Sequence, residues 1–211
     1  MTTVALPGEP TNGAAVHTLR EHSVRRWAST DATQQRILDA ATDVFAARGF
    51  AASTMADIVS RSGASVGSIY HHFGGKKELF LAIFERLAAE IDQSIDTATD
   101  ETDPADRHRT FEVSARAYLE AMWTHRRAAV VMAADDSPAG FEAVRRGSML
   151  RGFHRWMSVL EPDTSPRGRL LTRVLIAVLA EASAMVITCE DAADVAPITD
   201  ATVEWIARLT G

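Results

Sequence analysis

Cysteine is almost missing. Cys189 is the one example in 211 residues, which excludes an internal disulfide and makes a reducing compartment the expected home. No apolar run reads as long enough to span a bilayer, and no N-terminal stretch joins a basic region to an apolar one. A soluble, cytoplasmic chain is expected. Sustained strand alternation and internal repeats are also missing. So are the signs of catalysis: no carboxylate pair, Ser–His arrangement, phosphate loop or metal spacing stands out. Cys189, beside Glu190 and Asp191, makes a poor nucleophile because nearby anions raise a thiol's pKa. Neither enzyme activity nor a metal or cofactor is expected.

What is present is ordinary globular material, 46% apolar and 24% charged, in a chain long enough to bury a full core. The net charge of −6 is unevenly spread. Residues 1–80 carry eight Lys/Arg against seven Asp/Glu, and the remainder carries fourteen against twenty-one. A slightly basic head therefore sits on an acidic body.

Residues 1–29, with Pro7, Gly8, Pro10 and Gly13, read as a flexible tail. Its later part is either a marginal helix or a basic arm, with Arg25 and Arg26 as candidates for a minor groove. From Asp31 the apolar spacing is helical throughout. A first helix is predicted over Ala32–Arg48, stopped by Gly49. Thr54 and Asp57 stand in a capping-box relation at the start of a short second helix ended by Gly63. Ser65 caps a third short helix ending at Phe73, and a fourth begins near Lys76 after Gly74 and Gly75. Further helices are predicted over Arg107–Thr124, Arg127–Ala133, Ala139–Leu160, Pro166–Cys189 and Ile198–Leu209. The fold class is all-α.

Lys76 and Lys77 raise a question of charge. The first turn of a helix carries the positive end of its dipole and disfavours cations. Two lysines there suggest an external anion, held together with the unpaired N–H groups of the helix start. Just before them, two helices of about eight residues joined at Gly63 match the helix-turn-helix plan, whose second helix enters the major groove. Ile69 and Phe73, four apart, face the core, which turns Tyr70, His71 and His72 outward. Adjacent helical histidines point about 100° apart, so metal binding is not read from His71 and His72.

The stretch TMADIVSRSGASVGSIYHHFGGKKELF, from Thr54 to Phe80, resembles the DNA-binding signature of the TetR family of bacterial regulators. The resemblance covers about Ala32 to Leu87 in sequence and the rest only in helix layout. It implies a three-helix head over residues 30–77 and a helical ligand-binding and dimerisation domain over 78–211. It also implies that Thr54, Tyr70, His72 and Lys76 grip phosphates, while Val66, Gly67, Ser68 and His71, just after the cap Ser65, face the groove. Val66, Ser62 and Gly75 depart from the family's usual residues, and Val66 could instead pack inward.

The body is rich in bulky, adaptable side chains. Family members carry a pocket among these helices, and Tyr118, Met122, Trp123, Met132, Met149, Phe153, Trp156 and Met157 are the candidates for an apolar one; core packing competes for the same residues. Arg127, Arg151 and Arg155 are read as surface groups before ligand groups. The broad apolar face of Pro166–Cys189, with the last helix, resembles the family's dimer interface. Glu181 on that face is read as an interface or rim residue before a ligand contact. The expected function is a ligand-responsive regulator, a repressor by preference, that binds a palindromic operator as a homodimer and is released by a small apolar effector. A helical carrier or enzyme retaining such a head, and an effector-independent DNA-binding protein, are the alternatives.

Overall fold

The computed structural model describes residues 13–103, 105–160 and 165–210, with side chains described outside 13–30, 150, 151 and 153–160. The described residues form α1 Gly13–Ala52, α2 Met55–Ser62, α3 Val66–Phe73, α4 Lys76–Thr99, α5 Arg107–Thr124, α6 Arg126–Ala133, α7 Phe141–Leu160, α8 Pro166–Thr188 and α9 Val195–Thr210. A short 3₁₀ turn, Ala192–Asp194, precedes α9. No strand occurs among the described residues.

Most predicted boundaries lie within two residues of these. The backbone of α1 runs back to Gly13, through a stretch the sequence suggested as tail, marginal helix or arm; Arg25 and Arg26 lie among side chains outside the described set. Helical geometry stops at Gly49 as expected, where φ is 77° and ψ 168°, a left-handed φ that a side chain disfavours. The predicted start of α7 at Ala139 moves to Phe141 because Gly140 takes φ 88°.

The head is built around two fully buried side chains, Ile58 of α2 and Ile69 of α3. Each contributes about 1.5–3 kcal/mol by leaving water. Helices this short are not stable alone; they lean on Ile37, Ala41 and Phe45 of α1 and on Leu79, Phe80 and Ile83 of α4. The same core continues into the body. Phe80 and Phe84 pack edge-on against Phe141 of α7 at 4.9 and 5.2 Å, and Ala129, Val131 and Met132 of α6 join it. The division at 77/78 thus falls inside α4, and apolar packing crosses it without a gap.

A second core joins Phe111 and Ala115 of α5 to Leu175 and Leu179 of α8 and Ile206 of α9. Helix α8 corrects one expectation. Over its most apolar window its mean hydropathy is 2.0, and by length and composition alone it could cross a bilayer. Instead Leu175, Leu179, Ala182, Ser183, Val186 and Ile187 are buried against neighbouring helices. Its outer side, with that of α9, leaves Leu170, Met185, Trp205 and Leu209 between 44 and 63% exposed.

Candidate functional site

Two arrangements stand out: the exposed side of α3 with its neighbours, and a cavity in the body. The start of α2 is a complete capping box. The Thr54 hydroxyl accepts from the Asp57 amide at 3.2 Å and donates to Asp57 Oδ2 at 2.7 Å, while the Thr54 amide donates to the same oxygen at 3.0 Å. The Thr54 hydroxyl, then its amide, holds the Asp57 carboxyl below its usual pKa, and Arg48 at 2.8 Å adds to this.

Gly63 ends α2 in the left-handed region at φ 67°. Ser62 has a use here that alanine lacks: its buried hydroxyl accepts from the Ala64 amide at 3.2 Å and stiffens the turn. Ser65 caps α3 by accepting from the Ser68 amide at 3.1 Å. Its own carbonyl accepts from the Ile69 amide, and Ile69 anchors the helix beneath. This orientation leaves Val66 and Tyr70 each 50% exposed, with Gly67 and His71 also open and Ser68 half-buried. The inward alternative for Val66 does not hold. His72 is half-buried, its Nδ1 lying 3.5 Å from Gln34 Nε2 of α1.

Lys76 requires a correction to the electrostatic reasoning. Its Nζ donates to the carbonyls of Phe50 and Ser53 at 2.8 Å and reaches that of Ala51 at 3.4 Å. It also lies 4.4 Å above the Phe50 ring. These carbonyls belong to the end of α1 and the link beyond it, where a helix leaves acceptors unpaired and its dipole is negative. The anion that offsets Lys76 at the head of α4 is therefore the tail of α1, inside the same chain. In this arrangement its ammonium points inward, not toward an external phosphate. Lys77 is exposed, and Gly75 provides α4 with no side-chain cap.

The cavity is half-open and holds about 500 Å³ between α4, α5, α6, α7 and α8. Tyr118, Met122, Met132 and Met149 are among the residues that line it. Trp123 does not: it packs with Leu119, Ala182, Val186 and Val195 and carries the Arg126 guanidinium 3.9 Å above its ring. Phe153, Trp156 and Met157 lie outside the described side chains. Burial pushes the Tyr118 phenol up in pKa, partly offset by its hydrogen bond with Ser183 Oγ at 3.0 Å. Arg145 reaches the wall beside a pairing with Glu142 at 2.7 Å. Arg127 instead pairs with Asp43 of α1 at 2.9 Å. Glu181 is exposed and is not part of the lining.

Two walls went unread in the sequence. Phe84, Leu87, Ala88, Ile91 and Ile95 of α4 face the cavity, as do Ile176, Leu179, Ser183 and Ile187 of α8. A signal existed for α4. Its apolar positions run on at spacings of three and four past Ile83 to Ile95, on a helix that needs only part of that stripe for the head. Among the described residues no group of three His, Cys, Asp or Glu side chains could hold a metal.

Known proteins agree with this architecture. Residues 37–83 match the family model described as bacterial regulatory proteins, tetR family. The HTH-type transcriptional activator FasR of Mycolicibacterium smegmatis is 38% identical over 74 residues, 33% of this chain and 34% of that protein. An HTH-type transcriptional repressor of Mycobacterium tuberculosis is 44% identical over 55 residues, 26% of this chain and 29% of its own length. The matched part thus spans about a third of these curated relatives. Across the whole fold, a TetR-like transcriptional regulator from Rhodococcus sp. RHA1 superposes with a TM-score of 0.67 at 23% identity, covering 84% of this chain and 93% of that one.

Proposed function

We propose that this chain, which belongs to the TetR family, is a ligand-responsive transcriptional repressor that binds a palindromic operator as a homodimer. The observation that carries the reading is α3 itself. A capped, anchored eight-residue helix presents Val66, Gly67, Ser68, Tyr70 and His71 at its outer face, in reach of a major groove once α2 lies across the backbone. Small residues at its start allow close approach, and Val66 suits a thymine methyl. Thr54, Ser65 and His72 flank this face and, with Tyr70 at its edge, serve as phosphate partners that set register without reading sequence. Lys76 supports the face from behind by holding the end of α1 against the cap of α2.

Pairing through the outer side of α8 and α9 would cover Leu170, Met185, Trp205 and Leu209. Two such heads would meet half-sites one helical turn apart, roughly 34 Å. A small, largely apolar effector in the cavity would favour a state with a different head spacing, and it can do so only through unequal affinity for the two states. Helix α4 serves both ends, with Phe80 and Ile83 in the head core and Phe84 and Ile91 on the cavity wall. The relatives are named as an activator in one case and a repressor in another; release by the effector is the reading adopted for this chain.

Selection of bound duplexes from a random-sequence library tests this. Two-fold related half-sites are expected, with Val66→Ala changing the selected bases. Failure of the purified chain to bind any duplex at low ionic strength would remove the proposal.

A further inference from the structure

The helix that forms one wall of the cavity is fastened to the head at two points. Ala129, Met132 and Ala133 of α6 line the cavity, while Ala129, Val131 and Met132 also sit in the core shared with α1. Near the start of α6, Arg127 Nη1 meets Asp43 Oδ1 at 2.9 Å. The other oxygen of the same carboxylate accepts from Arg61 of α2, Nη2 at 2.6 Å and Nε at 3.0 Å. One side chain on α1 thus holds α6 with one oxygen and α2 with the other. Just beyond α6, Asp136 Oδ2 accepts from the Ala51 amide at 2.9 Å. It passes so near Gly49 that a Cβ there would lie 2.5 Å from it.

Ala51 is three residues before Thr54, the cap of α2. The segment between is itself tied down, with Ser53 Oγ donating to the Gly49 carbonyl at 2.5 Å. Helix α6 and the residues just after it thus reach both ends of α2: Arg61 in its last turn, through Asp43, and the approach to its cap, through Asp136 and Ala51. The ion pairs add little to stability, because Arg127 and Arg61 are 62 and 60% exposed and water screens such pairs. What they add is geometry, one carboxylate with two fixed partners.

We propose that Arg127 and Asp136 are positioning residues that transmit the state of the cavity to α2 through Asp43 and the Ala51 amide. This polar path runs across α1, beside the continuous helix α4. It rests on the functional reading above for its purpose, but its test needs neither DNA nor effector.

Hydrogen–deuterium exchange of the full chain, read over residues 49–62, supplies the measurement. The cavity is filled by Ala184→Phe on α8, a position on its lining, with Ala180→Phe as the second filling variant should the first not fold. Filling is expected to speed exchange over 49–62 several-fold in the parent chain. With Arg127→Ala and Asp136→Ala together, basal exchange rises and the response to filling disappears. Arg127→Lys with Asp136→Asn, which keep a cation and an acceptor oxygen, should restore the response. A purely structural role would raise exchange by the same factor with the cavity empty or filled, and that result would overturn the proposal. So would an undiminished response in the double alanine variant, or a folded, filled parent whose residues 49–62 do not respond. Absence of operator binding would leave this exchange result intact, so the two readings fail separately.

Discussion

Replacing Lys76 by alanine separates two physical roles for one charge. In the structure its ammonium makes two 2.8 Å bonds to carbonyls and a longer third, above the Phe50 ring. A hydrogen bond involving a charged group contributes about 1.5–3 kcal/mol, and a cation over an aromatic face about 0.5–1 kcal/mol. The site is half open, so water can reach the carbonyls left behind, and the loss falls below the sum of these contributions, at about 2–3 kcal/mol. For a chain of this size that lowers Tm by about 4–12 °C. Thermal unfolding measures this directly. The companion assay is DNA affinity against salt concentration. A residue that neutralises one phosphate contributes about 0.9 to the slope of log K against log salt. An inward-pointing Lys76 contributes none. Lys76→Ala should therefore weaken binding to all sequences, through a displaced α2, and leave the slope unchanged. A slope reduced by about 0.9 with Tm unmoved would return Lys76 to the phosphate backbone.

Thr54→Ala should cost about 1 kcal/mol by removing the cap of α2, read by chemical denaturation. Because the Asp57 pKa is lowered in the folded state, its contribution is complete above the ordinary carboxylate range and lost as pH falls through the folded value. Asp57→Asn should accordingly flatten part of the acid limb of the stability–pH curve. Leu170→Ser with Trp205→Ser should convert a dimer to a monomer in sedimentation velocity without lowering helix content; a dimer that survives both changes would move the interface elsewhere.

The helical segments of the head were legible because their signals are local. Thr54 with Asp57, Gly63, and Ser65 each act within four residues, so spacing alone places the caps, and Ile69 with Phe73 orients α3. Part of the cavity lining was legible for a different reason. Met and aromatic side chains in the middle helices mark adaptable apolar space, and Met122, Met132 and Met149 do line it. Composition cannot say on which side of a helix such a residue falls. Trp123 belongs to packing, while α8, read as an interface helix, turns one side to the cavity.

Lys76 shows where sequence stops and tertiary structure begins. Its position at a helix start, with a cation facing the wrong dipole end, is a matter of order along the chain, and it pointed to an anion from outside the chain. Which partner depends on distance in space. Folding brings the end of α1, 26 residues earlier than Lys76, against the start of α4, and the carbonyls of Phe50 and Ser53 meet the charge. The same closure places Asp43 between Arg61 and Arg127 and Asp136 beside Ala51. Hydrogen bonds and contact ion pairs need their atoms within about 4 Å, so residues 18 to 85 positions apart become partners only when the helices pack.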